Sequence, residues 1–196
     1  NAIQVLNREL DPARKRKTMK QGFVMLGGGV SDAYQSVEDN YQLARKTLFL
    51  IEKYNHPVHI LTKSLRVSRD IDLLKRIQRN KPVLVSFSFS SVDEKLSRLF
   101  EPGVPSPAEK LDLIRRLKDQ GISCGIFLMP LIPFLSDTPE QVDMVFSKAA
   151  EVGIDFIVFG GMTLKEGIQK QYFYKLIKNH YSDLLSRYQS LYSDIT

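Results

Sequence analysis

One pattern recurs five times along the chain: a short apolar run, a small or polar tip, then a stretch whose apolar positions repeat at helical spacing. The apolar runs are Phe23–Leu26, Val58–Leu61, Pro82–Phe89, Ile122–Leu128 and Ile154–Phe159. Runs of that length bounded by turn residues read as strands, buried on both faces as parallel strands are. The intervening helical patterns cover Val37–Tyr54, Val67–Arg79, Pro107–Gln120 and Pro139–Gly153. An amphipathic segment, Asn1–Leu10, precedes the first strand, and a tyrosine-rich helical tail runs from Glu166 onward. Ser106-Pro107-Ala108-Glu109 and Thr138-Pro139-Glu140-Gln141 are helix starts, with a hydroxyl cap, proline in the first turn and an acid or amide three residues on. The proline-bounded segments Glu101–Pro107 and Met129–Leu135 read as loops.

Strands alternating with helices predict an α/β fold, a partial (β/α) barrel of five parallel strand–helix units in a single domain over residues 1–196. In such folds the strand C-termini open on one face, and ligand sites form there. The tips that matter are therefore Gly27–Asp32, Thr62-Lys63-Ser64, Ser86-Phe87-Ser88, Met129-Pro130 and Gly160-Gly161-Met162.

Composition changes this picture little. The chain has 196 residues, a net charge of +6 and one cysteine. No apolar run approaches the ~18 residues of a membrane helix. Cys124 alone excludes an internal disulfide and fits a reducing cytoplasm. His56, His59 and His180 lack metal-ligand spacing, so no metal site is expected in this chain. The dense basic cluster Arg14-Lys15-Arg16-Lys17 with Lys20 reads as a solvated loop or a phosphate or nucleic-acid contact. The chain opens at Asn1 inside a helical stretch and reads as a piece of something longer. A first strand left without its neighbour would offer an edge for dimerisation.

Several tips carry candidate chemistry. Lys63, just past an apolar strand, can hold a carboxylate or phosphate, or form a Schiff base as in an aldolase-type barrel. Gly28 and Gly29 allow close backbone approach to a ligand, with Ser31 and Asp32 beside them; a tight turn capped by Asp32 is the plainer alternative. Ser88 shares one strand face with Ser86. Glu101, leading a rigid loop, can hold an amine or a sugar hydroxyl.

The order of these residues resembles a known family. Val30-Ser31-Asp32-Ala33-Tyr34-Gln35, His59-Ile60-Leu61-Thr62-Lys63-Ser64, Val85-Ser86-Phe87-Ser88, Glu101-Pro102-Gly103-Val104-Pro105-Ser106-Pro107 and Phe159-Gly160-Gly161-Met162 are similar to motifs of the radical S-adenosylmethionine (SAM) proteins of the spore photoproduct lyase, or DNA repair photolyase-like, group. The resemblance implies a (β/α)6 barrel, SAM and a [4Fe–4S] cluster in the full-length parent, and a 5′-deoxyadenosyl radical. It assigns Gly28, Gly29, Ser31 and Asp32 to the methionyl end of SAM, Lys63 to its carboxylate, and Ser88 to the ribose or carboxylate, with Glu101 nearby. Three departures stand out. The family's Cys-x3-Cys-x2-Cys motif is absent here, so this chain alone is not expected to hold the cluster or to be active. Gly29 stands where spore photoproduct lyase has a hydrogen-donating cysteine, and Ala33 where the family has proline. The implied enzyme is thus a relative of the thymine-dimer repair enzyme, with a nucleic acid or nucleotide as its expected substrate.

Overall fold

The computed structural model describes residues 1–14, 22–28 and 31–193. Five strands form one sheet in the order β1 (Val24–Leu26), β2 (Val58–Thr62), β3 (Val83–Phe89), β4 (Ser123–Leu131) and β5 (Phe156–Gly161). Every neighbouring pair is parallel. This is the expected partial barrel, with helices α3 (Leu43–Lys53), α4 (Ile71–Gln78), α6 (Pro107–Asp119) and α7 (Pro139–Val152) between successive strands. The amphipathic α1 (Ala2–Leu10) lies along α3.

Alternation along each strand sorts the side chains. Val83, Val85, Phe87 and Phe89 of β3 join Ile60 of β2 and Cys124, Ile126 and Leu128 of β4 in the main core. Leu48, Leu73, Leu74, Ile114 and Leu117 reach this core from the helices. The opposite, concave face carries His59, Leu61, Ser86, Ser88 and Phe127. Strand β1 departs from the expectation of burial on both faces: Phe23 is 42% and Met25 47% exposed. They point into the concavity, which the five strands do not close into a complete wall.

Four elements differ from the sequence pattern for identifiable reasons. The helix expected over Val37–Tyr54 breaks at Gln42, whose φ is 51°, into α2 (Glu38–Tyr41) and α3. Glu38 causes the restart. Its buried carboxylate accepts the orphan N–H groups of Leu43 at 2.7 Å and Ala44 at 3.1 Å, the role a helix cap fills. The helix expected from Val67 begins as a 3-10 stretch, Leu65–Asp70, because Asp70 turns inward to take Tyr34 Oη at 3.0 Å and Arg45 at 2.7 Å. A short helix, α5 (Glu94–Phe100), starts on the side chain of Asp93 and lies where the sequence showed no period. β4 continues through Met129-Pro130 to Leu131, past the expected loop start. Its register with β5 shifts between Leu128 and Leu131, and such an irregularity tolerates a proline.

The capping box expected at Ser106 forms, with Ser106 Oγ accepting from Glu109 N and Glu109 accepting from Ser106 N at 2.8 Å. The tail is helical, as α8 (Ile168–His180) and α9 (Leu185–Leu191). It builds a second core from Phe173, Ile177, Tyr188 and Tyr192 against Ile132, Phe134 and Leu164. Tyr192 Oη donates to the Met162 carbonyl at 3.0 Å, and Tyr188 Oη to that of Pro133, fastening the tail to the loops after β4 and β5.

Gly27 at the end of β1 has φ of 91°, and a Cβ there would collide with the Leu61 carbonyl oxygen of β2. Gly27→Ala combines backbone strain with that clash. It is expected to cost at least about 1–3 kcal/mol, read as a lower urea midpoint.

Candidate functional site

The strand ends enclose a cavity of about 720 Å³. Gly28, Ser31, Asp32, Lys63, Ser88 and Glu101 all line it; Gly29 lies outside the described residues. Six of the seven residues singled out from the sequence thus converge on one hollow. Most of the basic cluster, Lys15 to Lys20, is also outside the described residues.

Register brings the central pair together. β2 and β3 run parallel with Leu61 opposite Ser86 and Thr62 opposite Phe87, so the next position places Lys63 beside Ser88. Lys63 Nζ donates to Ser88 Oγ at 2.8 Å and forms an ion pair with Glu101 Oε1. The other Glu101 oxygen accepts from Ser90 N at 3.2 Å and Ser90 Oγ at 2.9 Å. Burial by itself would raise the Glu101 carboxyl. The Lys63 ammonium beside it, with smaller contributions from Lys110 and Ser90, holds it below its ordinary value instead. The loop carboxylate is therefore an anion at neutral pH, not a neutral acid.

Asp32 is occupied with its own chain. One oxygen accepts Tyr34 N at 2.8 Å and Thr62 Oγ1 at 2.7 Å, and the other accepts Lys63 N at 2.7 Å. It clasps the loop after β1 to the tip of β2 and so sets where Lys63 leaves the strand. Of Gly27 and Gly28, packing demands only the first. A Cβ at Gly28 would meet nothing, so its bare backbone faces open cavity.

The serines along β3 and just past its end divide their work. Ser86 Oγ and His59 Nε2 are 2.9 Å apart below the cavity, and Ser91 Oγ donates to Gln141 Oε1 of α7. The far wall is apolar and largely unanticipated: Phe100, Phe127, Met129, Ile132, Met162 and Phe173, with Thr163 and Gln169. The tail supplies Gln169 and Phe173. Lys110 was also missed. It is fully buried on α6 and donates to the Ser88 carbonyl at 3.1 Å. A lysine in register with Leu113, Ile114 and Leu117 on an apolar helix face was the signal available.

Cys124 points to the helical layer, and burial pushes its thiol up to about 12. No group of three or more histidine, cysteine or acidic side chains suited to a metal ion occurs among the described residues. The residues present therefore do not fit an iron–sulfur cluster, which needs thiolates. They do fit the amino-acid end of a ligand: an ammonium for a carboxylate, an ionised carboxylate for an amine, and hydroxyls between. No helix among the described residues is long and apolar enough to cross a membrane.

A parallel sheet whose polar strand tips meet in one hollow defines a protein of the partial-barrel class with a cavity at its strand ends. Comparison with known proteins places it more closely: the Radical SAM superfamily profile matches residues 4–141, and the chain belongs to that superfamily. An uncharacterized protein of Mycobacterium tuberculosis is 30% identical over 192 residues, 98% of this chain and 55% of the relative. An uncharacterized protein of Methanocaldococcus jannaschii is 33% identical over 133 residues, 68% of this chain and 49% of the relative. The chain thus spans about half the length of these curated relatives. Among solved structures, Streptococcus suis SuiB bound to S-adenosylmethionine is similar in fold, with a TM-score of 0.53 and 19% identity over 76% of this chain and 35% of SuiB.

A carboxyl held low in the folded state adds stability above its ordinary value of 4.5 and loses it as pH falls through the lower folded value. The folded chain is expected to lose urea resistance below pH 4.5, and Glu101→Gln to flatten that acid limb. Parallel pH profiles for the two proteins would contradict this assignment.

Proposed function

We propose that this chain forms the SAM-binding face of a radical SAM enzyme, holding the methionyl group of SAM at the tips of β2 and β3. The observation that carries this reading is the Lys63–Ser88–Glu101 constellation inside the strand-end cavity. Lys63 is placed to bind the carboxylate and Ser88 to share it. Glu101 offers an acceptor for the amine. Gly28 leaves backbone open toward the same end of the ligand, with Ser31 beside it on the cavity wall. Phe127, Met129 and Met162 offer apolar surface to the remaining length of the ligand. When bound, SAM is the source of the superfamily's adenosyl radical.

The finer reading is an enzyme of the spore photoproduct lyase-like group. It is supported by the order and spacing of the Ser31-Asp32-Ala33-Tyr34, Thr62-Lys63-Ser64 and Glu101–Pro107 motifs. It makes a nucleotide-containing substrate the first to try. The Schiff-base alternative would require Lys63 to leave its ion pair with Glu101 as a free amine.

Titration calorimetry of the chain with SAM tests the reading. Lys63→Met removes a charge-assisted contact and is expected to weaken binding by about ten- to a hundredfold. Equal affinity of wild type and variant, or no binding by the wild type, overturns it.

A further inference from the structure

Lys110 is a charge the fold does not need. It occupies the apolar stripe of α6 and is fully buried. Its Nζ donates to the Ser88 carbonyl and lies 4.2 Å from the centre of the Phe89 ring. A buried ammonium is costly unless it is paired, and an apolar side chain of similar length would fill the stripe without that cost. Something in the site must compensate for keeping it.

The charges that face Lys110 come from three elements: Glu101 after α5, Lys63 at the tip of β2, and Glu94 on α5. Glu94 is exposed and engaged with Ala108 N at 3.0 Å. Lys63 and Glu101 line the cavity with Asp32, whose oxygens are taken up by Tyr34 N, Thr62 Oγ1 and Lys63 N, while Lys110 lies buried behind Ser88. In the ligand-free chain Lys63 is committed to Glu101. A ligand carboxylate arriving at Lys63 would stand close to Glu101. Lys63 alone would then face two anions until the ligand's own ammonium reached Glu101. With Lys110 behind Ser88, a second protein ammonium stays near Glu101 as Lys63 turns to the ligand carboxylate.

We infer that Lys110 is a positioning residue which, by holding the Ser88 carbonyl and countering Glu101 from the helical side, lets Lys63 accept the carboxylate of an amino-acid ligand. This rests on the reading of the site as a SAM pocket. Lys110 touches neither ligand nor reacting atoms; it acts through Ser88 and Glu101. Burial pushes its ammonium down to about 8, against the pull of Glu101. It is therefore charged at pH 7 and loses its charge within an accessible range.

The test compares Lys110→Met and Lys110→Arg with wild type, using SAM and decarboxylated SAM as probes in calorimetry. Lys110→Met is expected to weaken SAM by about tenfold and to leave decarboxylated SAM unchanged, while Lys110→Arg keeps wild-type affinity for both. As pH rises through 8 the ligand's own α-amine titrates in every variant, so wild-type affinity for SAM should fall more steeply than that of Lys110→Arg, which stays charged. Carbon-13 NMR of the ligand-free chain should show the Glu101 carboxyl titrating roughly one pH unit higher in Lys110→Met. Equal losses for both probes, or no loss for SAM, overturn the inference. If Lys110→Met does not fold, the pH profile of Lys110→Arg decides alone, and a fall matching wild type overturns it. If wild type binds neither probe, the SAM reading fails, and the Glu101 titration still decides whether Lys110 sets the charge of that carboxyl.

Discussion

Lys63 meets Ser88 because two strands are paired in one register and no other. Leu61 faces Ser86 and Thr62 faces Phe87 across β2 and β3. In a sheet, a slip of one residue sends every side chain to the opposite face. A slip of β2 would drive His59 and Lys63 into the helical core and turn Ile60 into the concavity; a slip of β3 would do the same to Ser86 and Ser88, and to Val85 and Phe87. The dense apolar packing behind the sheet therefore specifies the polar tips in front of it. The site is a consequence of core registry, refined at its edges by local hydrogen bonds.

Two carboxylates carry out that refinement from opposite sides. Asp32 holds the loop after β1 against the β2 tip through two hydrogen bonds and braces the loop itself through a third, from Tyr34 N. Glu101 holds the loop after α5 against β2 and β3 through Lys63 and Ser90. Behind the Asp32 loop lies a further buried anion, Asp70, shared by Tyr34, Arg45 and Arg69. Removing a partner from such a buried group is far more costly than losing an exposed pair such as Arg66–Asp39. The Ser31–Gln35 segment is thus anchored at both ends of its turn, so the cavity-facing backbone is held in place before any ligand arrives. Burial and the Asp70 charge push the Tyr34 hydroxyl well above its ordinary range. Tyr34 stays protonated and keeps donating to Asp70.

The sequence made the periodic parts of this structure legible. All five strands and the helices after them were readable from apolar spacing, as were the caps at Ser106 and Thr138. What periodicity could not show was tertiary choice. Glu38 looks like an ordinary polar-face residue, yet its carboxylate restarts a helix. Asp70 looks like a helix-start residue, yet it turns inward and delays α4. The short α5 holds too few residues for a period to emerge. In the site, Lys63, Ser88 and Glu101 were visible because strand ends and a rigid loop single them out. Their mutual contacts were not, since Glu101 reaches Lys63 only through the unpredicted α5. The apolar wall was hidden for another reason: Phe100, Phe127 and Phe173 look like core residues, and only the curvature of the sheet leaves them facing a cavity.

The cavity sits at the seam between two cores, and this bears on how specificity is divided. The polar half, from Gly28 to Glu101, belongs to the sheet and its loops and falls within residues 4–141, the part matched by the superfamily profile. Met162, Thr163, Gln169 and Phe173, on the other half, lie beyond that match. They are held by the second core, through Tyr188, Tyr192 and the packing of Phe173 against Phe100, whose ring centres are 6.0 Å apart. Phe100 is the hinge between the halves. It ends the helix whose next residue is Glu101, so the same short element that delivers the site's carboxylate also seats the tail. A change in the tail's packing at Phe173 is therefore coupled, through Phe100, to the position of Glu101. The polar tips can stay constant across relatives while the tail reshapes the opposite wall, provided it preserves the contact at Phe100.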